Sequence, residues 1–441
     1  MLYTLYSSVG VVLALVSLPL FVLYCLITKK TFVSIQQRFG FFDSDQFNWQ
    51  HKTRIWLHAA SVGEVQVAKA LITELKKTDL RADIIVSTMT EQGQVIANQQ
   101  LGNQVVCLYA PLDLPWIVKR FIRVIRPTIY VCLETELWPN MLRIAHTQGV
   151  KSLLLNGRLS DRSFSHYKFL AGFMKQVLSH LSSAATISSN DKLKYVALGL
   201  PPEKIIVCGN AKYDLDNYFS RQNSNLPKET FDGKDIRGII HNLGIRQGQK
   251  VLVAGSTHNG EEEALLQAHL ALRIKFPDLI TIIAPRHLNR LAGVEAILKA
   301  QSLKYQKLSE IRGSKRTAEI VLVDFMGALA NLYSVASFAF CGGSLVDRGG
   351  HNIMEAAIWG VPPFYGPHMK DFSDAAQIFN KKKAGFQIDS ANELIEKIIY
   401  FNAHHNEYIL AGKAAKDIAQ SQQGAAHRQV KLILQNLIPQ D

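Results

Sequence analysis

The chain has 441 residues, 48% of them hydrophobic and 19% charged, which excludes an intrinsically disordered chain and leaves room for two or three domains. Its five cysteines, Cys25, Cys107, Cys132, Cys208 and Cys341, sit in or beside apolar stretches with no close spacing; this excludes a zinc site built on cysteine pairs and fits reduced thiols packed as small hydrophobes. A net charge of +13 points to an anionic partner, whether nucleic acid, acidic lipid headgroups or a phosphorylated substrate.

Residues 2–27 contain no charge and are followed at once by Lys29 and Lys30. About 20 apolar residues span a bilayer as a helix, so this segment is expected to be an uncleaved transmembrane anchor. The basic pair would keep the rest of the chain on the cytoplasmic side. The competing reading, a cleaved signal peptide, lacks a basic residue before the span and a clear small-residue cleavage site.

Beyond it, apolar bursts alternate with amphipathic segments. Strands are predicted at 54–58, 82–87, 104–109, 128–133, 151–155, 184–187 and 204–208, with helices at 64–76 and from about Glu91. A polar stretch, 214–248, breaks the pattern and reads as a linker leading into a second domain. Strands resume at 250–254, 279–284, 319–323, 338–341 and 361–365, with a helix at 261–275 and helical sequence over 391–437. Such alternation predicts parallel sheets with right-handed crossovers. The expected fold class is α/β: two Rossmann-like doubly wound domains behind a transmembrane helix. The predicted divisions are 1–28 (anchor), 29–213 (first α/β domain), 214–248 (linker) and 249–441 (second α/β domain), the last helices being able to cross back to the first domain. In a two-domain protein of this kind the active site is expected in the cleft between the domains.

Ligands in open α/β sheets bind beyond the carboxyl ends of strands, and the candidate residues are read there. Glu64, in the run from His58 to Glu64, is placed to deprotonate a hydroxyl. Ser61-x-x-Glu64 is equally a capping box. Glu134 and Glu136 follow the strand ending at Leu133, where two acids and Trp138 suit either a cleft or a helix start with Pro139 in its first turn. Lys212, in Gly209-Asn210-Ala211-Lys212-Tyr213-Asp214, can neutralise charge on a leaving phosphate or be a solvated hinge residue. Ser256 and Thr257 follow the first strand of the second half and suit an anion site or a helix cap. Pro285-Arg286 offers a guanidinium fork for phosphate, and Met326-Gly327-Ala328 is either a base or ribose contact or a turn. The densest cluster holds Gly342 and Gly343, then Asn352-Ile353-Met354-Glu355, where glycines and a new helix favour backbone packed on a ligand. Phosphate-loop and dinucleotide fingerprints are absent.

These motifs, in this order, resemble those of the 3-deoxy-D-manno-octulosonic acid (Kdo) transferases. The resemblance also covers Gln37-Arg38-Phe39-Gly40, Tyr109-Ala110-Pro111-Leu112-Asp113, Asn156-Gly157-Arg158-Leu159-Ser160 and Gly366-Pro367-His368. It implies a two-lobed GT-B type glycosyltransferase of the bacterial inner membrane, facing the cytoplasm and acting in lipopolysaccharide and lipid A biosynthesis. The implied donor is CMP-Kdo. The implied acceptor is the tetraacyl disaccharide bisphosphate precursor of lipid A. The implied reaction is inverting, with no metal or other cofactor and no nucleic acid partner, and the anionic membrane leaflet fits the basic chain. By motif, Glu64 would be the general base, and Glu134 and Lys212 would stabilise the transition state. Pro285-Arg286, Met326 to Ala328 and Asn352 to Glu355 would bind CMP. The chain departs from the family pattern at Ala211 and Ala356, beside motifs whose charged residues are intact. Two other readings on the same scaffold are a nucleotide-sugar epimerase and a non-catalytic, membrane-tethered glycolipid binder.

Overall fold

The computed structural model describes residues 2–28, 33–42, 47–214, 230–231 and 234–437. The chain divides into two compact units, one of Met1–Asp214 with Gln422–Asp441 and one of Leu215–Ser421.

The first unit holds β1 (Arg54–His58), β2 (Asp83–Thr88), β3 (Val106–Tyr109), β4 (Ile129–Leu133), β5 (Lys151–Gly157), β6 (Leu181–Thr186) and β7 (Ile205–Val207). They form one seven-stranded sheet in the order β3-β2-β1-β4-β5-β6-β7, with every neighbouring pair parallel. Alternate side chains feed two cores, as a sheet covered on both faces requires. Trp56, Tyr130, Cys132 and Leu154 enter one; Ile55, Leu57, Val131 and Leu153 enter the other.

The second unit begins with a short antiparallel ribbon, β8 (Thr230–Phe231) and β9 (Lys234–Asp235). It continues with β10 (Val251–Thr257), β11 (Ile280–Pro285), β12 (Tyr305–Lys307), β13 (Ile320–Leu322), β14 (Phe338–Cys341), β15 (Pro363–Tyr365) and β16 (Phe386–Gln387). Its parallel sheet runs β12-β13-β11-β10-β14-β15-β16. The edge strands β12 and β16 have no counterpart among the predicted strands. Each is short and pairs on one side only, so neither needs the apolar run that marks an interior strand.

Strand order reverses between β1 and β4 in the first sheet and between β10 and β14 in the second. These are the topological switch points, where crossovers leave to opposite faces and open a crevice at the strands' carboxyl ends.

Within the predicted linker, residues 215–229 and 232–233 lie outside the described residues. The remainder carries the ribbon and the helix Ile236–Asn242, whose Ile236 and Ile239 join the second unit's core together with Leu243. The helical tail resolves into Ala391–Ala403, His405–Gln422 and Ala425–Leu437. The last of these completes the first unit. Its Ala426, Val430, Leu432 and Ile433 pack into the same core as Leu57 and Val131. The Asp214 carboxylate accepts the amides of Gly424 and Ala426 at 3.2 and 2.8 Å, which satisfies donors at the helix start.

The N-terminal expectation is corrected. Residues Leu2–Thr28 are helical, but among the described residues no helix is long and apolar enough to cross a membrane. The transmembrane anchor, and the single-pass inner-membrane placement built on it, are therefore not supported. The first turns of the helix make protein contacts that an unbroken lipid-facing span would not make. The Tyr6 hydroxyl donates to Asp113 at 3.0 Å, and the Ser7 hydroxyl to Asn140 at 2.9 Å. The Tyr3 ring meets Phe173 edge-on with centroids 5.2 Å apart. Lys29 and Lys30 lie outside the described residues.

Candidate active site

Glu64 sits in the first turn of the helix Val62–Leu75, directly after β1. Its carboxylate accepts the Ala60 amide at 2.6 Å and the Ser61 hydroxyl at 3.2 Å. The capping box is not formed: Ser61 makes no side-chain cap bond, and the Glu64 carboxylate takes the amide of Ala60, one residue before the cap. The side chain is only 6% exposed. Burial, reinforced by the charges of Glu136 and Glu134, pushes its carboxyl up to about 8. A carboxyl in that range is matched to accepting a proton near neutral pH.

Glu134 follows β4 on the other side of the switch point. Its φ is +54°, a left-handed conformation that a non-glycine residue keeps only when its surroundings enforce it. The enforcement is visible. Its amide donates to the Leu155 carbonyl at 3.0 Å, and the Tyr195 hydroxyl donates to its carbonyl at 3.2 Å. The 4%-exposed carboxylate then meets Lys212 Nζ at 2.7 Å and Arg158 Nε at 2.8 Å.

Lys212 is delivered by a pair of buried asparagines. Asn156 Nδ2 donates to Asn210 Oδ1 at 3.1 Å, and that oxygen also accepts the Lys212 amide at 3.0 Å. Asn156 Oδ1 takes the Ala211 amide at 2.8 Å. A Cβ at Gly63 would lie 3.1 Å from Lys212 Nζ, so glycine there admits the ammonium group beside the helix that carries Glu64. Glu64, Glu134 and Lys212, drawn from three separate motifs, thus share one site. Arg158 joins them although its motif signals no role. Beside them, Glu136 accepts from Trp138 Nε1 at 2.8 Å and lies 3.6 Å from His58 Nε2. Burial pushes the Glu136 carboxyl up, but His58 and Trp138 together bring it below its ordinary value. In the sequence, His58 and Glu136 stand out only as parts of their motifs.

Asp113, from another motif, accepts the amides of Asn140 and Met141 at 2.9 and 2.8 Å. It caps the helix Pro139–Thr147 and ties two motifs together structurally.

In the second unit the predicted residues lie at or after the carboxyl ends of β10, β11, β13 and β14, but they do different things. The glycine-rich loop after β14 already has an anion. Glu261 accepts the amides of Gly343, Ser344 and Leu345 at 2.7, 3.0 and 3.0 Å, and that of His258 at 2.9 Å. Loop backbone expected to pack on a ligand gives its amides to the protein's own carboxylate. Gly342 packs on backbone, since a Cβ would lie 2.4 Å from the Ser256 carbonyl. Thr257 donates from its buried hydroxyl to Glu262 at 3.0 Å. Ser256 has φ +56° and is partly exposed.

Pro285 ends β11, and the exposed Arg286 follows it, its amide donating to the Thr257 carbonyl at 3.0 Å. Asn352 caps the four-residue helix Met354–Ala357, accepting the Met354 amide at 3.1 Å. Ile353 and Met354 are buried. Burial pushes the Glu355 carboxyl up to about 7, against the pull of Arg286. Met326 is 56% exposed beside Gly327 (φ +89°) and the buried Ala328. Exposed Arg286 and Met326, with the partly exposed Ser256, Asn352 and Glu355, are the groups of this set able to meet a ligand by side chain.

The family described as 3-deoxy-D-manno-octulosonic-acid transferase (kdotransferase) matches residues 33–215. A 3-deoxy-D-manno-octulosonic acid transferase of Haemophilus influenzae is 30% identical, the alignment covering 90% of this chain and 90% of that one. The enzyme of the same name from Chlamydophila psittaci is 31% identical over 80% of this chain and 78% of its own. Among solved structures, a UDP-GlcNAc 2-epimerase from Neisseria meningitidis superposes with a TM-score of 0.55, covering 87% of this chain and 100% of that one, at 13% identity. That likeness is one of fold alone. With the coverage and identity of its relatives, the chain belongs to the 3-deoxy-D-manno-octulosonic acid transferase family: it is a glycosyltransferase of lipopolysaccharide biosynthesis.

Proposed function

We propose that the chain transfers Kdo from CMP-Kdo to a hydroxyl of the acylated, phosphorylated disaccharide precursor of lipid A, with inversion and with Glu64 as general base. The observation that carries this reading is the Glu64 carboxyl at the first switch point, raised to about 8 by burial and by two neighbouring acids. As the acceptor oxygen attacks the anomeric carbon, its proton passes to Glu64. The carbon–oxygen bond to the CMP phosphate breaks, and its electron pair leaves on the phosphate. The sugar carbon gains positive character on the way, which the Glu134 carboxylate favours. Lys212 and Arg158 offset the charge of that carboxylate, and Lys212 stabilises charge on the departing phosphate.

Donor recognition falls to the second unit. Arg286 suits the phosphate, Met326 to Ala328 the base, and Asn352 with Glu355 the ribose hydroxyls. The relatives named above are called 3-deoxy-D-manno-octulosonic acid transferases, which supports the identity of the transferred sugar.

The test is mass spectrometry of the acyl-disaccharide acceptor after incubation with the protein and CMP-Kdo, with Glu64→Gln in parallel. Added Kdo mass with the wild type and none with the variant is the expected result. Equal transfer by both removes Glu64 as base, and no transfer by folded wild type removes the donor and acceptor assignment.

A further inference from the structure

The second unit contains a histidine pair that the transfer reaction does not use. His258 follows β10 and His351 lies in the loop after β14, so adjacent strands bring them together. Their Nε2 atoms are 3.0 Å apart, and their rings are parallel within 5° at a centroid distance of 5.3 Å. Gly343 (φ +67°) makes the room: a Cβ there would lie 3.1 Å from His351 Cδ2 and 3.3 Å from His258 Cδ2.

Two ring nitrogens at hydrogen-bond distance need one donor and one acceptor. The pair therefore holds one proton between its Nε2 atoms, and its total charge is zero or +1. Two imidazolium rings would set N–H against N–H.

The surroundings are cationic. Arg286 and His287 come from the loop after β11, with the His287 ring edge-on to His258 at 5.8 Å. Arg290 and Arg348 add charge from the adjoining loops. The nearby acids are largely engaged: Glu261 by loop amides, Glu262 by Arg290 at 2.8 Å, and Glu355 sits against Arg286. Asp371 lies below Gly349, and the Cys341 thiol accepts the His351 amide. Burial first, and then these cations, hold His258 down to about 4 and His351 down to about 3. Near neutral pH the pair is therefore uncharged.

CMP-Kdo carries a phosphodiester and a sugar carboxylate, both anionic. Bound among Arg286, Arg348 and His287, such a ligand reverses the field at the rings. We propose that the His258–His351 pair takes up one proton as the doubly anionic donor binds, and holds the donor as a singly charged shared-proton pair. The inference rests on the reading that the second unit takes the CMP-linked acidic sugar. It makes the pair a binding and specificity device for acidic donors, separate from Glu64.

Proton uptake makes affinity fall as pH rises. In the window between the pair's free and bound titrations, the donor KM should climb by up to about tenfold per pH unit. Ionisation of Glu355, which burial holds near 7, also makes the site more negative as pH rises, but that contribution stays in variants of the pair, so the pair is read from the part of the slope that the variants lose. The experiment measures KM for freshly prepared CMP-Kdo from about pH 5.5 to 8 at saturating acceptor, for wild type, His258→Gln and His351→Gln, with circular dichroism as the folding check. The expected result is a rising slope in the wild type that flattens in both variants. A merely structural histidine would change KM without changing its slope. A flat wild-type slope, or variants that keep the wild-type slope, overturns the pair. If one variant fails to fold, the asparagine variant at the same position replaces it, and the comparison of variant and wild-type slopes decides. Failure of folded wild type to transfer Kdo at any pH overturns the donor reading and the proposal with it, and is distinct from transfer with a flat slope.

Discussion

The carboxylate of Glu134 and the ammonium of Lys212 lie 2.7 Å apart, although they follow β4 and β7, which are not neighbours in the sheet. Arg158, 2.8 Å from the same carboxylate, makes the arrangement a triad with net charge +1. Removing one partner of a buried pair leaves the other desolvated, at a typical cost of about 3–5 kcal/mol. Arg158 remains when Lys212 is removed, so Lys212→Ala should lose only about 1–3 kcal/mol of stability. Its transfer rate should fall at least about a hundredfold. Arg158 is the more exposed of the two cations, 33% against 11%, so Arg158→Ala should lose less stability than Lys212→Ala. Denaturant unfolding and kcat for both variants check this, and a larger loss from Arg158→Ala would reverse the order.

The raised Glu64 carboxyl sets a pH dependence. A base works deprotonated, so kcat at saturating donor and acceptor should rise with pH through about 8 and level off above it. Glu64→Gln should lower kcat by about 10²–10⁴-fold and remove that rise. A variant that keeps the ascending limb would assign it to another group.

The same shift affects stability with a definite sign. The folded carboxyl binds its proton more tightly than the unfolded one. Folding is therefore penalised once the unfolded group ionises near its ordinary 4.5, and the penalty grows until the folded group ionises near 8. Glu64→Gln should thus stabilise the protein at pH 8 by roughly 1–3 kcal/mol and have little effect below about pH 4. Thermal melts at the two pH values measure the difference. Equal effects at both would contradict the linkage.

Glu261 should behave as an internal anion. In Glu261→Ala four amides, those of His258, Gly343, Ser344 and Leu345, lose their acceptor. A loss of about 3–5 kcal/mol is expected, because buried unsatisfied donors cost about 1–3 kcal/mol each and water recovers part of it. Sulfate should then raise the melting temperature of the variant more than that of the wild type, since the vacated amides suit an oxyanion. An identical sulfate response in both proteins would argue against it.

Ending the chain at Gly424 should destroy the first unit while leaving the second folded. The deletion removes Ala426, Val430 and Ile433 from the core beneath β1 and β4, and large-to-nothing changes in a core cost several kcal/mol. Limited proteolysis reads the outcome. Protection of the first unit equal to that of the full chain would show the last helix to be dispensable.

Much of the architecture is legible in the sequence. The two parallel sheets follow from apolar bursts of strand length alternating with helical periods, and the motifs at strand ends point to Glu64, Glu134 and Lys212 individually. Arg158 and His58 do not stand out, because an arginine in a loop and a histidine ending a strand look the same whether or not a carboxylate meets them. The glycine loop after β14 reads as backbone packed on a ligand, because nothing local discloses that Glu261 takes its amides. The expected anchor rests on an uncharged run. The hydroxyls of Tyr6 and Ser7 look incidental in that run until Asp113 and Asn140 appear opposite them.

By itself the sequence determined element type and order, since period-two and helical patterning are properties of neighbouring residues. It also determined which residue kinds stand at the strands' carboxyl ends. Only the tertiary structure decided that Glu134 is clamped by Lys212 and Arg158, that Glu261 occupies the loop amides, that His258 meets His351, and that the helix Ala425–Leu437 closes the first unit. The physical reason is the same in each case. These contacts join residues that are remote along the chain, and the low-dielectric interior that shifts a carboxyl or pairs two imidazoles exists only once the sheets have packed.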